Sequence, residues 1–321
     1  MDYDILLFYK FAPVAEPGRL QAELLQFGQS RGLRGRVIVA SEGINGTISG
    51  PRADCDAVRE WLARWPEFSD IVYKVDAAEA HAFTRWSVKL RSEIVTLGDD
   101  VRPWEQTGTH LSPPEFRERL ERGDALILDI RNDYEYEAGH FEGAIRPPVQ
   151  SFREFPEWLA GVLAEAGERP ILTYCTGGIR CEKLTAWLVR EGVRNVYQLE
   201  GGIVEYGKHP ETRGAHWRGQ CYVFDERVVV PVGDAPTELA RCLHCGAPTD
   251  QWLNCAHVDC NRQFACCPAC EVTWTESCSE ACRAAPRRRM RRGRLQPELR
   301  SPAVALRRRR SRARRKAKAR G

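Results

Sequence analysis

The stretch PILTYCTGGIRCEKLTAWLV, residues 170–189, decides the fold of the central part of this chain. Its first part, PILTYC (170–175), is short and apolar, which predicts a buried strand, and two adjacent glycines follow it. A helix is predicted over 181–191, because Leu184, Trp187 and Leu188 recur on one side of it. A strand, a short glycine loop and a helix in this order are typical of an α/β fold with a parallel sheet.

The loop between this strand and this helix places a cysteine where thiolate chemistry is favoured. Cys175 ends the strand, and the glycine loop and the helix N-terminus can direct backbone N–H groups toward one point. Such a cradle lowers the pKa of a thiol, so Cys175 is the candidate catalytic cysteine. The candidate loop and anion-binding residues are Thr176, Gly177, Gly178, Ile179 and Arg180.

Two neighbours of Cys175 each have two possible roles. Cys181 could resolve an oxidised or persulfidated Cys175 as a disulfide, or it could simply begin the helix and pack. Arg180 could bind an anion or brace the loop. A phosphatase loop of the pattern C-x5-R is disfavoured, because four residues separate Cys175 from Arg180 and Cys181 occupies the position of the phosphatase arginine.

The segments around this loop predict a complete α/β domain over residues 108–215. Further strands are predicted at ALILDI (125–130) and NVYQL (195–199), and Ser112 with two following prolines predicts a helix start. The region resembles the rhodanese family in Asp129-Ile130-Arg131, Glu135-Tyr136, Gly139-His140, Gly143-Ala144 and Leu199-Glu200-Gly201-Gly202. The resemblance implies that Cys175 can accept a sulfur atom as a persulfide. Asp129, Arg131, Glu135 and His140 are expected to frame the domain instead of taking part in the chemistry.

The pattern of residues 1–100 predicts a separate α+β domain with elements in the order βαββαβ. Strands are expected over 3–11, 36–40, 47–49 and 70–76, with helices from Pro17 and over 52–65, and a further strand over 86–97. Asn45-Gly46 is the predicted turn of the central hairpin. This order matches a ferredoxin-like, or acylphosphatase-like, sandwich, a scaffold that does not define a function.

A cysteine-rich, metal-binding region is predicted over residues 216–285. It begins with a hairpin or strand over 222–232, and the cysteines follow. Pairs of cysteines a few residues apart present thiolates to tetrahedral Zn²⁺, and eight thiols serve two ions. The predicted ligands are Cys242, Cys245, Cys255, Cys260, Cys267, Cys270, Cys278 and Cys282. Cys266 is spare, His244 and His257 are substitutes, and the pairing is left open. A structural role for zinc is favoured over a catalytic one, because the segment has few apolar residues to form a core.

The net charge of +4 over 321 residues conceals two opposite parts. Residues 287–321 carry +16, and the remaining 286 residues carry −12. The tail over 286–321 is predicted to be disordered. It is either a solubilising segment or an arm that contacts RNA phosphates without reading bases.

Two features of the sequence point to a cytoplasmic protein. We predict no membrane helix, because the longest apolar runs are far shorter than the roughly 20 residues that a bilayer span needs. We predict no signal peptide, because the sequence opens with Asp2 and Asp4 instead of a basic segment. Thirteen cysteines in such a chain indicate reduced thiols.

Taken together, these segments resemble one family of RNA-modifying enzymes. SEGINGT (41–47), CTGGIRCEK (175–183), GQCYVFD (219–225) and the cysteine-rich end are similar to the tRNA uridine hydroxylase family, the rhodanese-like enzymes that hydroxylate the wobble uridine. The resemblance covers about residues 1–285. It implies oxygen-dependent conversion of uridine 34 of tRNA to 5-hydroxyuridine, with Cys175 catalytic, molecular oxygen as co-substrate and tRNA as partner. No organic cofactor is expected, because the sequence has no flavin or haem motif.

Two other functions compete with hydroxylation. One is a persulfide sulfurtransferase of the thiosulfate type, acting on a small molecule or in a tRNA pathway. The other is a non-catalytic RNA-binding module, which the intact Cys175 loop disfavours. If the substrate is tRNA, the −12 body cannot attract it by bulk charge. Recognition is therefore expected to depend on local basic surface near Cys175, together with any contribution of the basic tail.

Overall fold

The structure is a computed structural model that describes residues 2–289, apart from the side chain of residue 165. The chain divides into two compact units, with the division between Ala240 and Arg241. The domain boundaries expected from sequence stay predictions. Most of the tail predicted over 286–321, and with it the prediction of disorder, lies outside the described residues.

The N-terminal domain is a five-stranded sheet with two helices on one face. The sheet order is β4-β1-β3-β2-β5, in which β4, β1, β3 and β2 are antiparallel neighbours and β5 runs parallel to β2. Leu6, Phe8 and Val37 pack with apolar side chains of both helices in one core. Because side chains alternate along a strand, the residues between them line the opposite face. The elements are β1 (Tyr3–Phe11), α1 (Pro17–Ser30), β2 (Arg34–Ala40), β3 (Gly43–Pro51), α2 (Arg52–Leu62), β4 (Tyr73–Ala78) and β5 (Trp86–Leu90).

The prediction that Asn45-Gly46 forms the central hairpin turn is wrong. Ala40 pairs with Gly43, so the turn is Ser41-Glu42, and Asn45 and Gly46 lie within β3. A Cβ on Gly46 would lie 2.8 Å from the Phe8 ring, so this glycine permits close packing. The Asn45 amide donates to the Ile94 carbonyl at 3.0 Å. Both residues have tertiary contacts that override their turn propensity.

Two predicted elements of this domain are too long. The helix predicted over 52–65 ends at Leu62, and Pro66 begins a separate 3-10 turn. The strand predicted over 86–97 ends at Leu90, opposite Val39, where its partner β2 is itself about to end. Strand length here is therefore limited by the partner strand.

The central domain is an α/β domain whose sheet is parallel throughout, as predicted. The sheet order is β6-β10-β9-β7. Ser112 and Glu115 form a capping box at the start of α3, where the two prolines occupy the first turn. The elements are β6 (Thr109–Leu111), α3 (Pro113–Arg122), β7 (Leu126–Asp129), α4 (Asp133–Ala138), β8 (Gly139–Phe141), α5 (Phe155–Ala166), β9 (Ile171–Tyr174), α6 (Ile179–Arg190), β10 (Val196–Leu199) and α7 (Gly202–Lys208).

The chain after α7 packs back on the central domain. Strand β11 (Trp217–Gly219) pairs with β8, and β12 (Cys221–Tyr222) pairs with β13 (Val229–Val230). The second pair is a hairpin, one of the two alternatives predicted over 222–232. This segment carries the GQCYVFD motif, so it brings Cys221 and Phe224 to the side of the domain where Cys175 lies.

The unit that begins at Arg241 has short strands, short helices and a core made largely of cysteines. Leu253 and Phe264 share this core with Cys242, Cys255 and Cys266. So small an apolar cluster gives little hydrophobic stabilisation. Its elements are β14 (Ala240–Arg241), β15 (Pro248–Thr249), β16 (Trp252–Asn254), β17 (Gln263–Ala265), α8 (Pro268–Thr273) and α9 (Glu280–Ala284).

Between residues 2 and 289, no helix has both the length and the apolar character required to cross a bilayer.

Candidate active site

The side chain of Cys175 lies at the point where β9 passes into α6. The Gly178 N–H donates to the Cys175 sulfur at 3.1 Å, and Gly178 caps the helix with a φ of 101°, a conformation that favours glycine. Gly202 makes a second close approach, since a Cβ there would lie 2.6 Å from the Cys175 carbonyl oxygen. The paired glycines of the 177–178 and 201–202 motifs therefore fix the position of the sulfur.

The loop favours the thiolate form of Cys175. Burial alone would raise its pKa, but a hydrogen bond from the Cys181 thiol, the charge of Arg180 and the N–H groups of Cys181 and Arg180 lower the pKa to about 5. At neutral pH the sulfur is therefore an anion. A buried thiolate beside a cavity is a strong nucleophile and can also hold a persulfide.

Arg180 is held by a carboxylate of the domain frame. Its guanidinium donates to both Glu135 oxygens at 2.7 and 2.8 Å, and more weakly to the Thr176 hydroxyl at 3.4 Å. The Glu135 side chain is fully buried. A bidentate pair of this kind fixes the guanidinium. Arg180 therefore braces the loop and still adds positive charge beside Cys175.

A second buried pair supports the loop from below. Arg131 donates to Asp129 at 2.8 Å, and the Tyr174 hydroxyl donates to the same carboxylate at 2.8 Å. His140 stacks on Tyr136 with ring centres 3.9 Å apart. These contacts match the framing role expected for Asp129, Arg131, Glu135 and His140.

Three buried thiols lie at or near the loop, and two of them line the cavity. Cys175 and Cys221 line the cavity, whereas Cys181 is fully buried and donates to Cys175. Burial raises the pKa of Cys181 well above its usual value and that of Cys221 to about 12, so both are neutral thiols. Cys221 lies within the GQCYVFD motif, but the sequence alone indicates no role for it. The resolving role of Cys181 stays a prediction.

The cavity at Cys175 has a volume of about 1010 Å³ and is lined by both domains of the first unit. Thr176, Gly177, Ile179 and Arg180 of the predicted loop line it together with Cys175. Strand β1 lies directly against the loop, because a Cβ on Gly177 would be 3.0 Å from Leu7 and one on Gly178 would be 2.9 Å from the Tyr9 hydroxyl. The N-terminal domain therefore forms one wall of the candidate active site.

Residues 181–183 connect this wall to the loop. Cys181 contacts Cys175, Glu182 accepts a hydrogen bond from the Tyr9 hydroxyl at 2.7 Å, and Lys183 binds Glu42 and Glu93 at 2.7 Å each. No local sequence signal identifies Tyr9 or Glu42 as part of the site, because their partners are more than a hundred residues away.

The predicted cysteine ligands form two groups of four. Cys242, Cys245, Cys267 and Cys270 make one group, and Cys255, Cys260, Cys278 and Cys282 make the other, with all sulfurs of a group within 4.8 Å of one another. The structure thus brings together all eight predicted ligands in interleaved pairs. Cys266, His244 and His257 stand outside both groups. Each group is a candidate site for a tetrahedral metal ion.

Comparisons with known proteins agree with this organisation. Three family models match: the UPF0176 acylphosphatase like domain over residues 3–94, the Rhodanese-like domain over 112–209 and Rhodanase C-terminal over 218–283. With its parallel sheet and cysteine loop, the central domain is a rhodanese-like domain. Among solved structures, a rhodanese-like domain from Anabaena covers 34% of this chain and 78% of its own, at 23% identity and a TM-score of 0.28.

Curated relatives match at higher identity and over most of both chains. The tRNA uridine(34) hydroxylase of Shouchella clausii and that of Bacillus cytotoxicus are each 47% identical over 290 residues, covering 89% of this chain and 90% of theirs. That of Bacillus cereus is 46% identical over the same length, covering 91% of its own chain. The chain belongs to the tRNA uridine(34) hydroxylase family.

Proposed function

We propose that this chain hydroxylates uridine 34 of tRNA to 5-hydroxyuridine, with molecular oxygen as co-substrate and Cys175 as the catalytic cysteine. The observation that carries the proposal is the 47% identity to tRNA uridine(34) hydroxylases over 90% of their length, combined with a thiolate that faces a large cavity. The partner is then tRNA, and the place of action is the cytoplasm.

Cys175 acts in this scheme as a nucleophile toward the pyrimidine ring. The thiolate adds to C6 of uracil, so an S–C6 bond forms and the C5=C6 electron pair moves toward O4, which makes C5 electron-rich. After C5 acquires oxygen, loss of the C5 proton and departure of the thiolate restore the double bond. One atom of O₂ enters the product, and the other becomes water with two electrons and two protons from a reductant outside the chain.

A substrate analogue tests this step directly. Fluorine at C5 of uridine 34 cannot leave as a proton does, so a covalent adduct through Cys175 should accumulate and survive denaturing electrophoresis. If the Cys175→Ser variant hydroxylates uridine 34 at the wild-type rate, the catalytic role of the cysteine is overturned.

The alternative function is a persulfide sulfurtransferase. The observation that favours it is the cradle of the buried thiolate, in which the Gly178 N–H contacts the sulfur. Nucleoside mass spectrometry on a gene-deletion strain separates the two. Loss of 5-hydroxyuridine derivatives with thiolated nucleosides unchanged supports hydroxylation, and the reverse supports sulfur transfer.

For the cysteine groups we propose two structural zinc ions. Zinc–sulfur bonds of about 2.3 Å in a tetrahedron require sulfurs about 3.8 Å apart. The sulfurs of Cys245 and Cys267 lie 3.7 Å apart, and those of Cys260 and Cys278 lie 3.6 Å apart. The donor set and these distances support zinc, which would fold the unit without taking part in the reaction.

We further propose that the N-terminal domain is ferredoxin-like, which its order β4-β1-β3-β2 supports. The proposed organisation keeps the domains at 1–100, 108–215 and 216–285, with a basic tail from 286. The tail would add affinity for tRNA phosphates.

A further inference from the structure

One face of the N-terminal sheet is free of helices and borders the cavity. A single row of directly opposite residues crosses four strands there: Arg36 pairs with Thr47, Thr47 with Leu7, and Leu7 with Lys74. All four line the cavity that contains Cys175. We call the part of this face formed by Arg36, Thr47, Leu7 and Lys74 the open face. At about 4.8 Å between strands, it extends about 14 Å from Arg36 to Lys74.

Three cations of the cavity make no salt bridge with a carboxylate in the described part of the chain. Within residues 2–289, Arg36, Lys74 and Arg153 make no ion pair, although all three line the cavity. The two lining carboxylates are already neutralised, because Asp76 binds Lys208 and Arg227, and Asp225 also binds Arg227. The cavity therefore presents unpaired positive charge, in contrast to the −12 of the chain outside its tail.

These cations lie at two depths. Arg36 and Arg153 are exposed at the rim, whereas Lys74 is only 7% exposed. The Lys74 ammonium lies 5.3 Å from the centre of the Tyr9 ring, and burial lowers its pKa. The charges of Glu205, Cys175 and Glu182 act on this ammonium, but it makes no salt bridge with any described residue. A buried ammonium without a salt bridge can take an oxygen of a ligand as a further partner. Phe224, half exposed and also lining the cavity, offers an apolar ring surface beside these charges.

We propose that the open face, with Arg153 and Phe224, binds the single-stranded RNA that flanks the reacting uridine. Arg36 and Arg153 contact backbone phosphates, Phe224 stacks on a flanking base, and Lys74 binds a carbonyl oxygen of the base that enters toward Cys175. The inference rests on the proposed function, since it names how that substrate is held.

The size of the cavity supports an RNA strand over a small molecule. Pockets for small ligands occupy about 300–1,000 Å³, so 1010 Å³ is at the upper limit for one compact ligand. The combination of cations and an exposed aromatic ring is typical of proteins that bind single-stranded nucleic acids. The open face thus supplies the local basic surface that an acidic enzyme of tRNA requires.

Binding measurements on the full chain test the phosphate contacts. In a Cys175→Ser background, which removes turnover, tRNA affinity is measured over a series of KCl concentrations. Arg36→Gln and Arg153→Gln should each weaken binding several-fold at low salt and reduce the slope of log K against log[salt] by about 0.7. Arg64→Gln is the matched control, because this exposed arginine follows α2 on the other side of the sheet.

The contacts proposed for Lys74 and Phe224 with the bases have their own readouts. With Cys175 intact, Lys74→Met should lower kcat/KM for tRNA at least tenfold and leave the salt slope unchanged. Phe224→Ala should weaken binding about tenfold, and Phe224→Tyr should retain it. A 4-thiouridine next to position 34 should photo-crosslink to peptides from residues 34–47 or 222–227.

The outcomes separate this inference from the proposed function. If Arg36→Gln and Arg153→Gln behave like Arg64→Gln while the wild-type chain still hydroxylates uridine 34, the inferred RNA site is overturned. If the wild-type chain forms no 5-hydroxyuridine but both variants still lose affinity and salt slope, the proposed function fails and the RNA site stands.

Discussion

The Lys183 ammonium lies 2.7 Å from a Glu42 oxygen and thereby joins the helix after the Cys175 loop to the hairpin turn of the N-terminal domain. The Lys183 side chain is fully buried, and it also binds Glu93 and the Val95 carbonyl. Glu42 belongs to the SEGINGT motif and Lys183 to CTGGIRCEK. Two motifs that are far apart in sequence are therefore the two sides of one contact, and this contact holds the wall of the cavity against the loop.

Removal of this lysine should destabilise the first unit. Lys183→Met leaves two carboxylates close together without their cation. Removal of one partner of a buried ion pair typically lowers the free energy of unfolding by about 3–5 kcal/mol. Urea denaturation of the full chain measures the loss, with Lys89→Met as the control because Lys89 is exposed on β5. Equal midpoints for the two variants would contradict the role given to Lys183.

The pH dependence of Cys175 alkylation should reveal its thiolate. The reactive form exists above the pKa, and the loop lowers that pKa to about 5. The iodoacetamide rate at Cys175 should therefore be flat from pH 8 to about pH 6 and fall to half near pH 5. Peptide mapping by mass spectrometry resolves this cysteine from the other twelve.

Cys181 provides a variant for the same measurement. Cys181→Ala removes a hydrogen bond to the thiolate, so the midpoint should move to higher pH. Buried Cys55, whose pKa is raised to about 11, should stay unreactive throughout. A Cys175 midpoint near 9 in the wild-type chain would rule out the cradle.

Metal content should follow the two cysteine groups. The wild-type chain should contain two zinc ions, and Cys245→Ser or Cys260→Ser should each lose one, because each variant removes a ligand from a different group. Cys266→Ser is the matched control and should keep both ions. Inductively coupled plasma mass spectrometry gives the count, and loss of both ions in Cys266→Ser would contradict the assignment.

A truncation can distinguish the contribution of the basic tail to tRNA binding from that of the cysteine-rich unit. Arg287 binds Asp259 at 2.9 Å and Arg288 binds the Thr275 hydroxyl at 2.6 Å, so a cut after Arg289 preserves contacts that a cut after Ala285 would remove. The shortened chain should bind tRNA more weakly and with a flatter salt dependence. An unchanged slope would mean that the tail only aids solubility.

What could be predicted from sequence was local. The Cys175 loop, the parallel strands around it and the eight paired cysteines follow from residue spacing within short segments. The pairing of Cys242 with Cys267 and Cys270, and not with Cys255, depends on how the unit folds. Spacing alone could not establish it.

What could not be predicted depends on contacts between distant residues. Asn45-Gly46 has strong turn propensity, but packing against Phe8 places it in a strand. Tyr9 and Lys74 gain their places in the candidate site because the N-terminal sheet lies against the loop. Cys221 belongs to the site because its hairpin returns to the cavity.

The most direct test of catalysis by Cys175 compares Cys175→Ser with the wild-type chain in cells from which the gene has been deleted. Nucleosides from total tRNA are measured by mass spectrometry. Deletion should abolish the 5-hydroxyuridine derivatives formed by this enzyme, the wild-type gene should restore them, and Cys175→Ser should not. Restoration by Cys175→Ser, or loss of thiolated nucleosides with 5-hydroxyuridine derivatives unchanged, would contradict this expectation.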